Sequence, residues 1–225
     1  MANTYSLELE SSSSQYASIT DAAQTGLDIT GDLSLECWVK LESISVTPIG
    51  LISKMGSPGN YSFRVDMNKS NIYTLISDNG SSFGTVNMPY AASTGVWFHI
   101  AYTYKASTGA VNLYINGSSE GSGTNSKTSI FNGNGDFVVG ASSNRYFDGL
   151  IDEVRVWNTE RTATEIQDNY DKELIGTESN LQGYWRFNND YTDETSNGND
   201  LTAVNSPTFS TDVPFVGGST NNSTS

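Results

Sequence analysis

The chain has 225 residues and a formal net charge of −14, with 25 acidic side chains against 11 Lys and Arg. So few cations argue against partners with phosphate backbones or anionic membrane surfaces, while an acidic surface suits solubility and cation binding. No run of about 18 apolar residues occurs, so no membrane-spanning helix is expected. A single cysteine excludes an internal disulfide and a Cys-rich zinc site.

Aromatic residues make up 11% of the chain, too many for a disordered polymer, and the length suits one all-β domain or, failing that, two small ones. The N-terminus, Met-Ala-Asn-Thr-Tyr, lacks the charged and apolar regions of a secretory signal. Alternation then recurs along the chain. Tyr5, Leu7 and Leu9 alternate with Ser6, Glu8 and Glu10. Leu33, Leu35, Cys37, Val39 and Leu41 alternate with polar partners, which makes Cys37 a small buried apolar residue. Tyr61, Phe63 and Val65 follow the same rule. Phe98, Ile100, Tyr102 and Tyr104 share one strand face, with Trp97, His99, Ala101 and Thr103 on the other. Val111, Leu113 and Ile115 end at Asn116-Gly117, a tight-hairpin signal because both turn residues need positive φ.

The segment from Gly149 to Trp157 reads as a strand in which Leu150, Asp152, Val154 and Val156 share one parity, putting a carboxylate in phase with apolar residues. Thr162-Ala163-Thr164-Glu165 has capping-box spacing, and Ile166, Tyr170 and Leu174 recur at helical spacing, which predicts one short surface helix near 163–173. Gly183, Trp185 and Phe187 belong to a late strand. About a dozen short strands with regular turns predict an all-β antiparallel sandwich over residues 1–212, and the Gly/Ser/Thr/Asn-rich stretch 213–225 reads as a flexible linker or tail.

Six segments, in order, resemble the laminin-G-like jelly-roll family of the concanavalin A-like lectin and glucanase superfamily. They are Leu27 to Val39, Ile52-Ser53-Lys54 with Tyr61-Ser62-Phe63, Gly95 to Ala101, Leu113-Tyr114-Ile115-Asn116-Gly117, Phe147 to Trp157, and Gly183 to Phe187 with Asp193 to Asn199. The resemblance implies a two-sheet antiparallel jelly-roll sandwich with one surface helix, a frequent calcium ion, and binding of glycans or proteins in extracellular settings. It does not imply a catalytic reaction. It also implies that Asp152 matches a strand position that, in related sugar enzymes, binds a structural calcium beside carbonyls near the N-terminus. One departure is Leu9-Glu10-Ser11, where relatives often carry Phe-Asp-Gly.

Calcium takes six to eight oxygen ligands. Asp152, with Glu8 and Glu10 approaching from the first strand, is one candidate set; hydrogen bonds to loop N–H groups or an Arg/Lys partner would serve Asp152 equally. Asp193 heads a second oxygen-rich group with Asp190, Glu194, Asn197, Asn199 and Asp200, which lacks the EF-hand pattern. Asn132-Gly133-Asn134-Gly135-Asp136 reads as a Gly/Asn hairpin. Gly117-Ser118-Ser119-Glu120-Gly121 matches a nucleophile-elbow pattern but follows a hairpin turn rather than leading into a helix. No Glu-x-Asp-x-Glu string places paired acids on a strand, and Glu165, Asp168, Asp171 and Glu173 fall on the surface helix.

For ligand binding, Trp97 and His99 on one strand face, and Tyr73, Tyr90 and Tyr146 near strand ends, offer rings with polar handles; packing explains each as well. The expectation is a non-catalytic carbohydrate-binding module of an exported or cell-surface protein, part of a larger multidomain chain, with a structural calcium. A structural or protein-adhesion domain is the alternative, and a glycoside hydrolase or polysaccharide lyase on the same sandwich a minor one.

Overall fold

A computed structural model describes residues 3–215. Its strands, numbered in chain order, form two large antiparallel sheets packed face to face. The first runs β10 (Ser118–Thr124), β9 (Ala110–Ile115), β8 (Trp97–Lys105), β3 (Leu33–Leu41), β14 (Gly149–Trp157), β1 (Ser6–Leu9), β17 (Thr208–Ser210), with β15 (Leu181–Trp185) pairing β14 as well. The second runs β16 (Thr202–Val204), β2 (Tyr16–Ile19), β11 (Phe137–Val139), β4 (Ile49–Met55), β5 (Tyr61–Asn68), β6 (Asn71–Gly80), β7 (Phe83–Pro89). A small hairpin, β12 (Ala141–Ser142) and β13 (Arg145–Tyr146), stands apart from both. The one α-helix among the described residues, α1, spans Ala163–Asn169. This is the all-β sandwich that the alternation predicts.

The core lies between the sheets and follows from the period-2 pattern. Leu33, Leu35, Cys37, Val39 and Leu41 of β3, and Phe98, Ile100, Tyr102 and Tyr104 of β8, point into it. They meet Phe63, Val65, Met67, Ile72 and Ile76 from the second sheet. Cys37 is buried, and its thiol is pushed up to about 12, chiefly by burial. Asn116 and Gly117 both hold positive φ, at 48° and 75°, in the hairpin turn that joins β9 to β10.

β14 does not keep the single parity expected of it. Ile151 pairs with Val39 and Asp152 with Trp38, but Arg155 then pairs with Glu36, so the strand carries one extra residue there. Glu153 supplies the kink, with φ of 51°. The bulge inverts the phase. Ile151, Val154 and Val156 enter the core, while Leu150 and Asp152 lie opposite Lys40 and Trp38 on the outer face.

That outer face is covered. Helix α1 starts with the expected capping box, in which Glu165 N–H donates to Thr162 Oγ1 (3.2 Å) and Thr162 N–H to Glu165 Oε2 (2.7 Å). Ile166 then packs on Ala101 and Tyr114. The helix stops at Asn169, short of the expected 173. The buried Arg155 guanidinium donates to the carbonyls of Asn169 (3.0 Å) and Lys172, and Leu174 N–H donates to Tyr184 Oη (3.2 Å). These bonds pull the chain out of helical register and carry Leu174 into a separate cluster with Trp157, Leu181 and Tyr184.

Of the stretch expected to be a linker, Val213, Pro214 and Phe215 are half-buried, and the Phe215 ring meets Trp38 edge-on at 5.9 Å. Residues 216–225 lie outside the described residues.

Candidate functional site

The second sheet carries a cleft of about 390 Å³ on its outer side, lined mainly by polar groups. Its floor comes from alternating strand residues: Tyr16 of β2, Ser53 and Met55 of β4, and Val138 of β11. Gly56, Ser57 and the loop Asn134-Gly135-Asp136 make one wall; Ser142, Ser143, Asn144 and Tyr146 make the other.

Each wall has a local cause. Ser143 and Asn144 form the two-residue turn of the β12–β13 hairpin, both left-handed at φ 45° and 54°. Two non-glycine residues in that region cost strain, so contacts elsewhere must hold the turn. Asp66 provides them. It accepts from Ser142 Oγ (2.5 Å) and Arg145 Nη1 (2.7 Å), with Arg64 Nε 3.3 Å away. Ser53 Oγ–H donates to the Ala141 carbonyl (2.9 Å), and the hairpin crosses β4 at Gly50, where a Cβ would sit 2.2 Å from Ser142 N. The opposite wall rests as closely on the β4–β5 turn: a Cβ on Gly135 would lie 2.2 Å from Gly56 N. This loop, expected as a hairpin, has no strands of its own; it wraps the end of β4 instead.

Inside, the Tyr16 and Tyr146 rings lie 6.3 Å apart at 24°. Around them stand the hydroxyls of Ser57 and Ser143 and the amides of Asn134 and Asn144. Asp136 is the one lining carboxylate, and no Lys or Arg lines the cleft among the described residues. Rings stack on the apolar faces of a sugar, and neutral donors and acceptors satisfy its hydroxyls. A lone carboxylate does not make the paired acids of glycoside hydrolysis.

The expected ligand residues are scattered. Tyr146 lines the cleft. Tyr73 sits on the same sheet outside it, half-buried, its hydroxyl accepting from Asn68 Nδ2 (2.9 Å). Tyr90 packs against Phe98, ring centroids 5.4 Å apart, as support for the core. Trp97 lies on the first sheet, its Nε1–H donating to Asp212 Oδ1 (2.8 Å). His99 has no exposed surface, being enclosed by Trp38 and Tyr170 at 5.6 and 5.9 Å beside the covering helix, so its face is not open to a ligand. Tyr16, Met55, Ser57, Val138, Ser142, Ser143 and Asn144 are among the cleft residues that carry no functional signal in the sequence, and Asn134 and Asp136 carry only that of a hairpin.

The expected metal residues fall in three places. Glu8 and Glu10 meet Glu42, with one oxygen of each within 4.8 Å of the others. Burial and then the charges of Glu10, Glu8 and Asp148 raise the Glu42 carboxyl above its ordinary value. Asp152 stands apart from them, fully buried; Oδ1 accepts from Glu153 N–H (2.8 Å) and Oδ2 from Asn3 Nδ2 (2.7 Å). Burial, then the charge of Glu153, pushes this carboxyl well above the usual range. Asn3 Oδ1 is buried beside it without a hydrogen-bond partner among the described residues. Asp193 is a loop clasp. Tyr184 N–H and Thr195 N–H donate to Oδ1 (3.0 Å each), and Thr195 Oγ1 and Asn199 N–H to Oδ2 (2.9 Å each), filling the four lone-pair sites of the carboxylate.

Residues 11–167, which contain every cleft residue, match the profile of the concanavalin A-like lectin/glucanases superfamily. No curated protein matches the chain. Several solved structures share its fold. A candidate carbohydrate-binding protein from Bacteroides ovatus superposes with a TM-score of 0.71 at 16% identity, over 97% of this chain and 62% of its own. This chain therefore spans about three-fifths of that relative's length. The heptameric SAP-like pentraxin of Limulus polyphemus gives 0.65 at 14% identity, over 92% of this chain and 94% of its own. Domain 4 of an extracellular arabinanase from Geobacillus stearothermophilus, solved with arabinotriose, gives 0.50 at 23% identity, over 64% of this chain and 69% of its own.

Proposed function

The chain belongs to the concanavalin A-like lectin/glucanase superfamily, and from that premise we propose that it is a non-catalytic carbohydrate-binding domain of an extracellular protein, with the Tyr16–Tyr146 cleft as its sugar site. The observation that carries this reading is the cleft itself: two tyrosine rings set among neutral hydroxyl and amide groups, with a single carboxylate. The Bacteroides protein is described as a candidate carbohydrate binder and the arabinanase domain was solved with a trisaccharide, which supports the sugar class without naming the sugar. Affinity electrophoresis against arabinan, xylan, galactan and laminarin tests it. Retardation by at least one polymer is expected, and Tyr146→Ala should weaken it by roughly tenfold, the factor worth about 1.4 kcal/mol. Binding that survives both Tyr16→Ala and Tyr146→Ala unchanged would move the site elsewhere. Failure to bind any polymer would count against the function.

A structural calcium is part of the same reading. Asp152 is buried with no Lys or Arg at ion-pair distance among the described residues, and the orphaned Asn3 oxygen beside it is a second hard donor. Oxygen donors with no ion-paired cation between them fit a calcium ion, which would tie the N-terminal segment to β14. Glu8, Glu10 and Glu42 offer a more exposed carboxylate set. Bound calcium stabilises the folded state by mass action, so the melting temperature should rise in millimolar CaCl2 over EGTA. Asp152→Ala should abolish that difference if the buried set is the site, and Glu42→Gln if the exposed set is. An identical melting temperature in CaCl2 and EGTA would remove calcium from the account.

A further inference from the structure

Behind the loop wall of the cleft sits a buried cation that the cleft itself does not expose. Lys54 alternates with Ser53 and Met55 on β4, so its side chain turns away from the cleft that those two line, and is 1% exposed. Its Nζ meets four oxygens from two separate loops: Asp21 Oδ1 at 2.5 Å, Asp28 Oδ1 at 3.0 Å, and the carbonyls of Gly133 and Gly135 at 2.9 and 3.1 Å. Two carboxylates and two backbone carbonyls are the donor set a hard metal ion would take. Here a covalently attached ammonium fills it.

The cage is the back of the cleft wall. Gly133 and Gly135 flank Asn134, and Asp136 follows directly; Asp136 Oδ1 in turn accepts from Asp21 N–H at 3.4 Å. The glycines let the loop lie hard against its support, since a Cβ on Gly133 would sit 2.8 Å from the Asn60 carbonyl group. Ser62 Oγ accepts from Gly133 N–H at 3.2 Å. Without the ammonium, two carbonyls and two carboxylates would converge on one point with nothing positive between them, and the wall would open.

We propose that Lys54 is a positioning residue for the cleft: its ammonium does internally what a bound divalent cation does in other loops, so ligand recognition in this cleft does not depend on calcium. The proposal rests on the cleft being the sugar site, but the state of the wall is measurable without any sugar. It is also separate from a calcium at Asp152, which lies on the other sheet and would alter stability rather than the cleft.

Hydrogen exchange of the amides of residues 132–136 is the direct test. In the wild type it should be the same in CaCl2 and EGTA. Lys54→Met should speed it by roughly tenfold or more while β3 and β8 keep their protection, as expected when charge-assisted hydrogen bonds are lost. Asp28→Asn, at the half-exposed side of the cage, should give a smaller increase in the same stretch and decides the matter if Lys54→Met does not fold. Methylammonium chloride should restore protection to Lys54→Ala, a rescue that mere loss of packing would not show. Exchange at 132–136 that rises in EGTA for the wild type, or that stays unchanged in both Lys54→Met and Asp28→Asn, overturns the proposal. In a second arm, the polysaccharide that retards the wild type is run in EGTA: retained binding is expected, and lost binding overturns calcium independence. If no polysaccharide binds in either buffer, the sugar reading fails while the exchange data still judge Lys54.

Discussion

His99 is the only histidine in the chain and it titrates in a closed space. Burial lowers its pKa below the ordinary value, against the opposing pull of Glu36, whose Oε2 lies 3.4 Å from Nε2. Burial alone would raise Glu36, but the neighbouring His99 and the charges of Arg155 and Arg161 hold it below the usual carboxylate range. The sign follows from proton counting. An unfolded chain protonates histidine near pH 6.5, whereas the folded one resists until lower pH, so the unfolded state binds more protons and stability falls as pH drops through about 6.5. Glu36 adds a second loss in the same direction below about pH 4.5. Asp152 and Glu153, both raised, act the other way, because the folded state takes up their protons more readily on acidification. The wild-type curve is therefore a sum. The contribution of His99 is isolated by comparing melting temperatures of wild type and His99→Gln from pH 8 to 5.5. The mutant should lose less stability over that range; parallel curves would mean that the imidazole is not held neutral.

At the scale of elements, strands of strict alternation were legible and interrupted ones were not. In β3 and β8 every second residue enters the core as its parity predicts. In β14 the bulge at Glu153 has no local signature, since glutamate at φ 51° is not a residue choice that announces a left-handed position. Hence strict alternation buries Asp152 correctly but puts it on the wrong face of the sheet. The cleft was mostly hidden for a different reason. It draws on β2, the end of β4, the 134–136 loop and the β12–β13 hairpin, and no period links residues so far apart. What could be read was the oxygen and glycine density of 132–136, though its purpose, wrapping Lys54, could not. Close backbone approach makes this part brittle. Gly50→Ala would place a Cβ 2.2 Å from Ser142 N and 2.4 Å from the Ala141 carbonyl carbon. Displacing the hairpin should cost about 2 kcal/mol in urea denaturation and weaken sugar binding with it. Gly31→Ala meets nothing within 4 Å and serves as the control, with a change of about 0.5 kcal/mol or less. Equal effects of the two substitutions would refute the assigned crossing.

Across the whole molecule, the two outer faces have different fates. The first sheet is sealed by α1, by the Trp157–Leu174–Leu181–Tyr184 cluster and by Phe215, over a buried charge network in which Arg155 Nη2 meets Glu153 Oε2 at 2.9 Å. The second sheet carries the cleft on its outer side, in a strongly acidic molecule. The chain bears a net −14, Asp136 lines the opening, and the nearest guanidinium groups, Arg64 and Arg145, are already committed to Asp66. An acidic glycan would have to approach an acidic molecule and would find no free cation among the lining residues, whereas an uncharged one meets the same hydroxyls, amides and rings without that repulsion. Neutral polysaccharides should therefore bind more tightly than uronate-rich polymers of similar linkage. The gap should narrow between about 0.02 and 0.5 M NaCl, as shortening of the Debye length screens the repulsion. Asp136→Asn should shift the preference toward the acidic polymer without loss of the neutral one. Tighter binding of polygalacturonate than of neutral galactan at low salt would show instead that Arg145 leaves Asp66 to meet a carboxylate, and that charge pairing rather than ring stacking governs recognition.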